Sequence, residues 1–274
     1  MLKQAIRKIV PPRFWAAMRV WKLRRQVKTF KPVVVRHTYG GLPLSVQLAD
    51  PLGQGWYDHD WEVPAEFAVL GKGKLRPGAL VFDLGAHQGV VALMLANQVG
   101  EKGRVIAVEA MPHNARIAEK NVQLNDLKWV TIINAGISDT AGFLEFSEGF
   151  NSQAMAGKSR SGGIKIPAVT IDALTEQYGI PDVLFIDVEG FECHALRGAR
   201  KTLESRPDLF VEVHLGFGLE QFGGSVDQIL AFFSDREYEF FMASEAEKEF
   251  RPFDRTHPMT SKRFFLIARS KAGQ

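Results

Sequence analysis

Val81-Phe82-Asp83-Leu84-Gly85-Ala86-His87-Gln88-Gly89 is the stretch on which the fold turns. An apolar run ends on an acid, and two glycines then bracket a short turn that opens a helix-forming segment. Strand, glycine turn and helix in that order are the context that gives such a motif meaning. Gly85 and Gly89 allow a tight turn and a close backbone approach, while the free N–H groups of the helix start attract an anion. A second apolar run, Val105-Ile106-Ala107-Val108-Glu109, ends on a carboxylate 20 residues after Gly89, with Ala110 next. A carboxylate there can accept hydrogen bonds from two ribose hydroxyls. The candidate cofactor residues are thus Asp83, Gly85, Ala86, His87, Gly89, Glu109 and Ala110.

Two cofactors suit a loop of this kind, a nicotinamide dinucleotide and S-adenosylmethionine. The dinucleotide fingerprint is G-x-G-x-x-G, whose second glycine admits the pyrophosphate. Here the spacing is Asp83-x-Gly85-x-x-x-Gly89, and His87 stands where that second glycine belongs. Asp83 repels a pyrophosphate but binds an ammonium, which the amino-acid end of S-adenosylmethionine carries. The loop favours S-adenosylmethionine, with an NAD-dependent oxidoreductase as the alternative.

Outward from this motif the chain alternates. Strands are expected at 79–84, 104–109, 129–134, 142–146, 165–170, 183–187, 210–214, 238–242 and 263–268. Helices are expected at 89–98, 113–125, after Asp172, at 192–205 and at 225–236, with a Gly/Ser loop over 148–163. Such repetition means an α/β protein, a mostly parallel sheet with helices on both faces. Ligands collect at the carboxyl ends of such strands. Upstream, the pattern reads as a helix over 13–28, a β-hairpin from Val33 to Leu48, a turn-rich 49–60 and a short helix over 61–72. The expected division is a basic extension, 1–60, and a cofactor-binding domain, 61–274.

A second constellation lies further on. Val183-Leu184-Phe185-Ile186-Asp187-Val188-Glu189-Gly190-Phe191-Glu192 ends a buried strand on three closely spaced acids, and Phe210-Val211-Glu212-Val213-His214 ends another on an acid and a histidine. Buried acids are costly unless solvated, ligated or paired. If the two strands are neighbours, these groups converge on one crevice. For a hydroxyl acceptor a base is needed. His214 is the first candidate and Asp187 the second, with Glu189 and Glu192 holding substrate hydroxyls; Asp187 also joins the candidate cofactor residues, as the one expected nearest the sulfonium. Alternatively, some of Asp187, Glu189, Glu212 and His214 bind Mg²⁺ and acidify a diol oxygen. Lone Cys193 reads as packing and His59 as a surface-loop residue.

DLGAHQG at 83–89, EAMPHNARIAEKNVQLN at 109–125, NAGISDTAG at 134–142, VTIDAL at 169–174, FIDVEGFECHALRGARKTL at 185–203 and LFVEVH at 209–214 together resemble the FkbM family of S-adenosylmethionine-dependent methyltransferases. The likeness covers about residues 79–215, and IDVEGFE is its most diagnostic block. It implies a class I methyltransferase fold, Rossmann-like, with a seven-strand sheet, and O-methylation of a hydroxyl on a sugar, glycan or related natural product. It also implies that Asp83, Gly85 and Gly89 hold the methionine end, that Glu109 binds ribose and that Ser138-Asp139 lie near adenine. Two residues depart from the family pattern. His87 replaces the usual asparagine, and Phe185 replaces the usual lysine, a change expected to alter packing more than chemistry.

Charge is unevenly spread. Residues 1–49 hold 11 of the 34 Lys and Arg and none of the 31 Asp and Glu, so the remainder carries about −8 of a +3 total. This arm lacks the apolar run of a secretory signal. Its Phe14, Trp15, Met18, Trp21 and Leu23 either dock on the protein's own core or lie on an anionic membrane surface, with nucleic acid the least favoured partner. A third function class follows, a non-catalytic module recruited by the arm, against which the intact loop and acidic cluster argue. A single cysteine fits a reducing compartment, so a cytoplasmic location, peripheral to the membrane, is expected.

Overall fold

The computed structural model describes residues 18, 21, 25–146, 164–245, 247, 249–254 and 263–271. Of the expected N-terminal helix, residues 18, 21 and 25–29 are helical, and the rest of the arm lies outside the described residues. The hairpin follows as β1 (Val33–Tyr39) and β2 (Leu42–Leu48), joined by Gly40 and Gly41 with φ of 61° and 81°. Two successive left-handed residues are what a tight two-residue hairpin turn demands.

Next come α1 (Pro51–Tyr57) and α2 (Ala65–Leu70). A helix within 49–60 departs from the turn-rich expectation. Asp50 explains it, because its Oδ1 accepts from Leu52 N at 2.9 Å and Gly53 N at 2.8 Å, with Pro51 at the first helical position.

The central repeat runs β3 (Leu80–Leu84), α3 (Val90–Val99), β4 (Arg104–Glu109), α4 (Pro112–Leu124) and β5 (Val130–Asn134). Three short strands, β6 (Gly136–Ile137), β7 (Gly142–Phe146) and β8 (Ile164–Val169), form a side sheet in the order β6-β8-β7. Then follow α5 (Ile171–Tyr178), β9 (Val183–Ile186), α6 (Glu192–Arg197), α7 (Arg200–Glu204), β10 (Asp208–Val213), α8 (Val226–Leu230), β11 (Tyr238–Ser244), β12 (Arg251–Pro252) and β13 (Phe264–Ser270). The helix expected over 192–205 is two, α6 and α7. They part at Gly198, where a Cβ would stand 2.3 Å from the Ser138 carbonyl oxygen.

The main sheet has the order β12-β11-β13-β10-β9-β3-β4-β5, eight strands rather than the seven expected. The extra one is β12, two residues at the edge pairing Phe241 with Pro252, a position where proline's missing N–H costs nothing. From β10 to β5 the strands are parallel, whereas β13 is antiparallel to both β10 and β11. Period-two alternation divides the core into two layers. Leu80, Phe82, Leu84, Leu184 and Ile186 pack on one face; Val81, Val183, Phe185 and Phe210 pack on the other. Phe185 stacks on Phe210 at 4.1 Å between centroids, in line with the packing role expected of it.

Tyr39, Leu44, Val46, Leu48 and Tyr57 share that second layer with α3, so residues 33–57 belong to the same core as the strands. The outer edge of β2 is satisfied by amides of α4. Ser45 N and Gln47 N donate to Asn125 and Asn121 Oδ1 at 2.9 and 2.7 Å, which spares the edge unpaired donors. Among the described residues no helix is long and apolar enough to cross a membrane.

Candidate active site

The cofactor loop is held by backbone geometry that sequence context alone anticipated. Gly85 N and Ala86 N both donate to the Val108 carbonyl, at 2.8 and 3.0 Å, which folds the loop against β4. Gly85 has φ 101°, and a Cβ there would stand 1.7 Å from the Asp187 carbonyl oxygen. No other residue fits. Gly89 has φ 80° and opens α3, and its missing side chain lets Ala118 come close.

Two acids face each other across this turn. Asp83 is buried near the end of β3, and its Oδ2 has no hydrogen-bond partner. Burial first, then the charge of Glu109, pushes its pKa up to about 7. Glu109 ends β4. Its Oε2 accepts from His87 N at 2.9 Å and its Oε1 from Met111 N at 2.7 Å, yet burial still lifts its pKa to about 7. An orphaned buried carboxylate and a second one at a strand end fit a ligand that brings a cation and hydroxyl donors.

Beside the loop lies a cavity of about 350 Å³. Gly85, His87, Glu109, Ala110 and Asn114 line one part of it, and Trp56, Trp61, Arg263 and Phe265 another. Asp187, Glu189 and Glu212 line it too. Asp83, Ala86 and Gly89 stand behind the wall and shape it. Gly136 and Ile137 line the cavity, but Ser138 does not. Ser138 follows directly on the two residues of β6 that line the cavity. Its N–H donates to the Val169 carbonyl at 3.0 Å, and its hydroxyl turns toward Asp139, which is itself tied to His194 and Arg197.

The acidic crevice forms because β9 and β10 are parallel neighbours, as the sequence reading required. His214 is at its centre and 1% exposed. Its Nε2 lies 3.3 Å from Glu189 Oε2, 3.6 Å from Glu212 Oε1 and 3.7 Å from Asp187 Oδ1, while Nδ1 lies 2.8 Å from Glu192 Oε1. Burial opposes charge on the ring. The hydrogen bond to Glu192 and the charges of Glu189, Glu192 and Asp187 outweigh it and raise the pKa to about 9. His214 is thus protonated at neutral pH and off the cavity wall, which corrects its assignment as the base.

Glu192 is corrected as well. It is fully buried behind His214, accepting from Gly190 N at 2.8 Å, and does not meet the cavity. Asp187 and Glu189 do line it, and burial together with Glu212 and Glu189 holds the Asp187 carboxyl well above the usual carboxylate range. Glu212 is ion-paired with Arg263 at 3.0 Å, and Arg263 also pairs with Glu245. Ligand atoms of Asp187, Glu212 and His214 lie within 4.8 Å of one another, a spacing that could hold a cation.

Sequence reasoning missed Trp56, Trp61, Arg263 and Phe265. The two tryptophans reach the cavity because residues 58–61 turn back along β1, where Trp61 N donates to the Thr38 carbonyl at 2.7 Å and the Trp61 carbonyl accepts from Gly40 N at 3.0 Å. No motif marks them. Cys193 is buried, with its thiol directed at the Ser225 carbonyl, in keeping with packing.

The methyltransferase FkbM domain model matches residues 83–240, more than half of the chain. The chain belongs to the FkbM methyltransferase family. Short segments of this FkbM-family chain resemble curated methyltransferases. One is the tRNA (adenine(58)-N(1))-methyltransferase of Thermus thermophilus, 47% identical over 49 residues, 18% of this chain and 19% of that protein. Another is a probable cobalt-precorrin-6B C(15)-methyltransferase (decarboxylating) of Sulfolobus acidocaldarius, 40% identical over 65 residues, 24% of this chain and 34% of that protein. The chain thus spans about a fifth to a third of the length of these relatives. Among solved structures, the FkbM methyltransferase of Methylobacillus flagellatus is 18% identical, with TM-score 0.46, covering 69% of this chain and 43% of that one. A SAM-dependent O-methyltransferase of Thermotoga maritima is 16% identical, with TM-score 0.45, covering 86% and 77%.

Proposed function

We propose that this protein is an S-adenosylmethionine-dependent methyltransferase acting on a hydroxyl oxygen of a sugar, glycan or related polyhydroxylated product. The observation that carries the reading is the single cavity walled by Glu109 and His87 on the loop side and by Asp187 and Glu189 at the ends of the neighbouring strands. When bound, S-adenosylmethionine supplies an activated methyl group on a sulfonium. Asp83, buried behind the wall with an unpartnered oxygen, supplies the negative charge that the ammonium of the amino-acid end faces, Glu109 takes the ribose hydroxyls, and Gly136 and Ile137 flank the base. The family assignment and the acid at position 83 both weigh against a dinucleotide.

What the protein adds is alignment, exclusion of water and removal of one proton. Trp56, Trp61 and Phe265 present apolar faces to an acceptor ring, and Arg263 with Glu212 meets its polar groups. Asp187 and Glu189, each within 4 Å of His214 Nε2, accept the proton that the acceptor hydroxyl loses. Burial and the charges of Glu212 and Glu189 make the Asp187 carboxylate a stronger base than a free one, and the charge of His214 opposes that rise. A second reading gives the centre of that cluster to Mg²⁺, favoured by the spacing of Asp187, Glu212 and His214.

Calorimetry with S-adenosylhomocysteine and with NAD tests the cofactor, and methyl transfer to a panel of glycans, lipid-linked sugars, tRNA and amines tests the acceptor. Binding of S-adenosylhomocysteine alone and methylation of a hydroxyl acceptor are expected. NAD binding without S-adenosylhomocysteine binding overturns the cofactor, and transfer only to nitrogen or carbon overturns the acceptor. Loss of turnover in EDTA with recovery in Mg²⁺ decides for the metal.

A further inference from the structure

We infer that Tyr57, on a helix outside the family domain, is a positioning residue that braces the cofactor loop through His87; the inference rests on the S-adenosylmethionine reading. His87 has φ 48°, in the left-handed region that a residue other than glycine seldom occupies. Beside ring contacts with Trp56 and Tyr57, two hydrogen bonds help to hold it there. Its N–H donates to Glu109 Oε2, the carboxylate placed on the ribose, and its Nδ1 lies 2.8 Å from the Tyr57 hydroxyl. Tyr57 is buried, and burial with the charge of Glu109 pushes its hydroxyl pKa up, so the neutral hydroxyl and Nδ1 share one hydrogen bond.

The helix carrying Tyr57 is fixed to the loop at its other end as well. Asp50 Oδ2 accepts from Gln88 Nε2 at 2.7 Å and faces His113 Nε2 at 2.9 Å. A Cβ on Gly53 would lie 2.4 Å from Gln88 Oε1, so a larger residue there would displace the Gln88 amide from its place against the helix. Two adjacent loop residues, His87 and Gln88, are therefore clamped from one seven-residue helix that contains two glycines and depends on this contact for its own order. Asparagine also tolerates left-handed φ and needs no such partner. His87 couples the loop to α1, a tie that a shorter side chain there does not make.

The test is a double-mutant cycle on S-adenosylhomocysteine affinity in the full-length protein, using Tyr57→Phe, His87→Asn and the pair, with melting temperature of the ligand-free proteins alongside. Each single variant removes the same hydrogen bond and is expected to weaken binding about three- to tenfold, the range of one such bond. The pair is expected to be no weaker than either single variant, because the second change has nothing left to remove. Affinity unchanged in both single variants, whatever their melting temperature, overturns the brace. Additive losses also overturn it. If Tyr57→Phe does not fold, His87→Asn alone carries the test, since asparagine leaves the backbone unstrained. Failure of the unaltered protein to bind S-adenosylhomocysteine is a separate result and removes the cofactor reading instead.

Discussion

The two halves of the cavity are built in opposite ways. The cofactor half comes from one continuous strand–turn–helix and the end of the next strand, and its demands are mostly on backbone conformation. The acceptor half gathers side chains from α1, the return along β1, the ends of β9 and β10, and the start of β13. Its chemistry depends on how charges from different segments add up. A loop whose function is its backbone is written in glycines and one carboxylate. A cluster proposed to take up a proton is written in no single stretch, because its groups come from separate segments of the chain.

The largest effect is expected where backbone demand is strictest. Gly85→Ala has no room for its methyl against Asp187 and must adopt φ 101°, so S-adenosylhomocysteine binding should fall below detection by calorimetry. Retained affinity would mean that the loop is not the rigid half.

In the crevice, Asp187→Asn should lower turnover by roughly 10²–10⁴-fold, the span of an acid–base group. His214→Ala should cost as much while leaving S-adenosylhomocysteine affinity intact, since the ring meets no cavity surface. The histidine also gives a pH signature. Its folded pKa of about 9 exceeds its unfolded value of 6.5, so its stabilisation is fully present below 6.5 and is lost as pH rises through 9. Chemical denaturation between pH 6 and 10 should show that decline, and His214→Ala should flatten it. A slope that persists in the variant places the titration elsewhere.

Glu109→Ala should weaken S-adenosylhomocysteine by about 1.5–3 kcal/mol, the worth of hydrogen bonds to a charged group. Because the Glu109 pKa is raised to about 7, affinity should also fall as pH drops from 8 to 6 and the carboxylate takes a proton. Calorimetry across that range in the parent and in Glu109→Ala divides the fall between Glu109 and Asp83, whose pKa is also raised to about 7.

The smallest effect concerns the arm. Its ten Lys and Arg in residues 1–31 should bring the protein to anionic vesicles but not to neutral ones, with binding that weakens as salt rises. Co-sedimentation measures this; binding that ignores salt or lipid charge refutes the electrostatic arm.

Wherever a residue's neighbours along the chain decide its conformation, the sequence sufficed. Apolar runs ending in Asp83 and Glu109, with glycines at 85 and 89, specify a strand, a left-handed turn and a helix start. The sequence left the adjacency of β9 and β10 as a condition; the structure meets it and brings Asp187, Glu189, Glu212 and His214 together. Tertiary structure decided what those residues are. Four carboxylates close around one imidazole turned an expected base into a cation, and the buried position of Glu192 made it a support for that ring. Ser138 stands just past the two residues of β6 that line the cavity, set there by the pairing of β6 with β8. A turn-rich segment became α1 because Asp50 caps it and Gln88, His113 and His87 receive it. The physical reason is range. Dihedral preference and side-chain alternation are local and can be read along a chain, whereas desolvation and charge–charge coupling depend on groups brought together from distant segments.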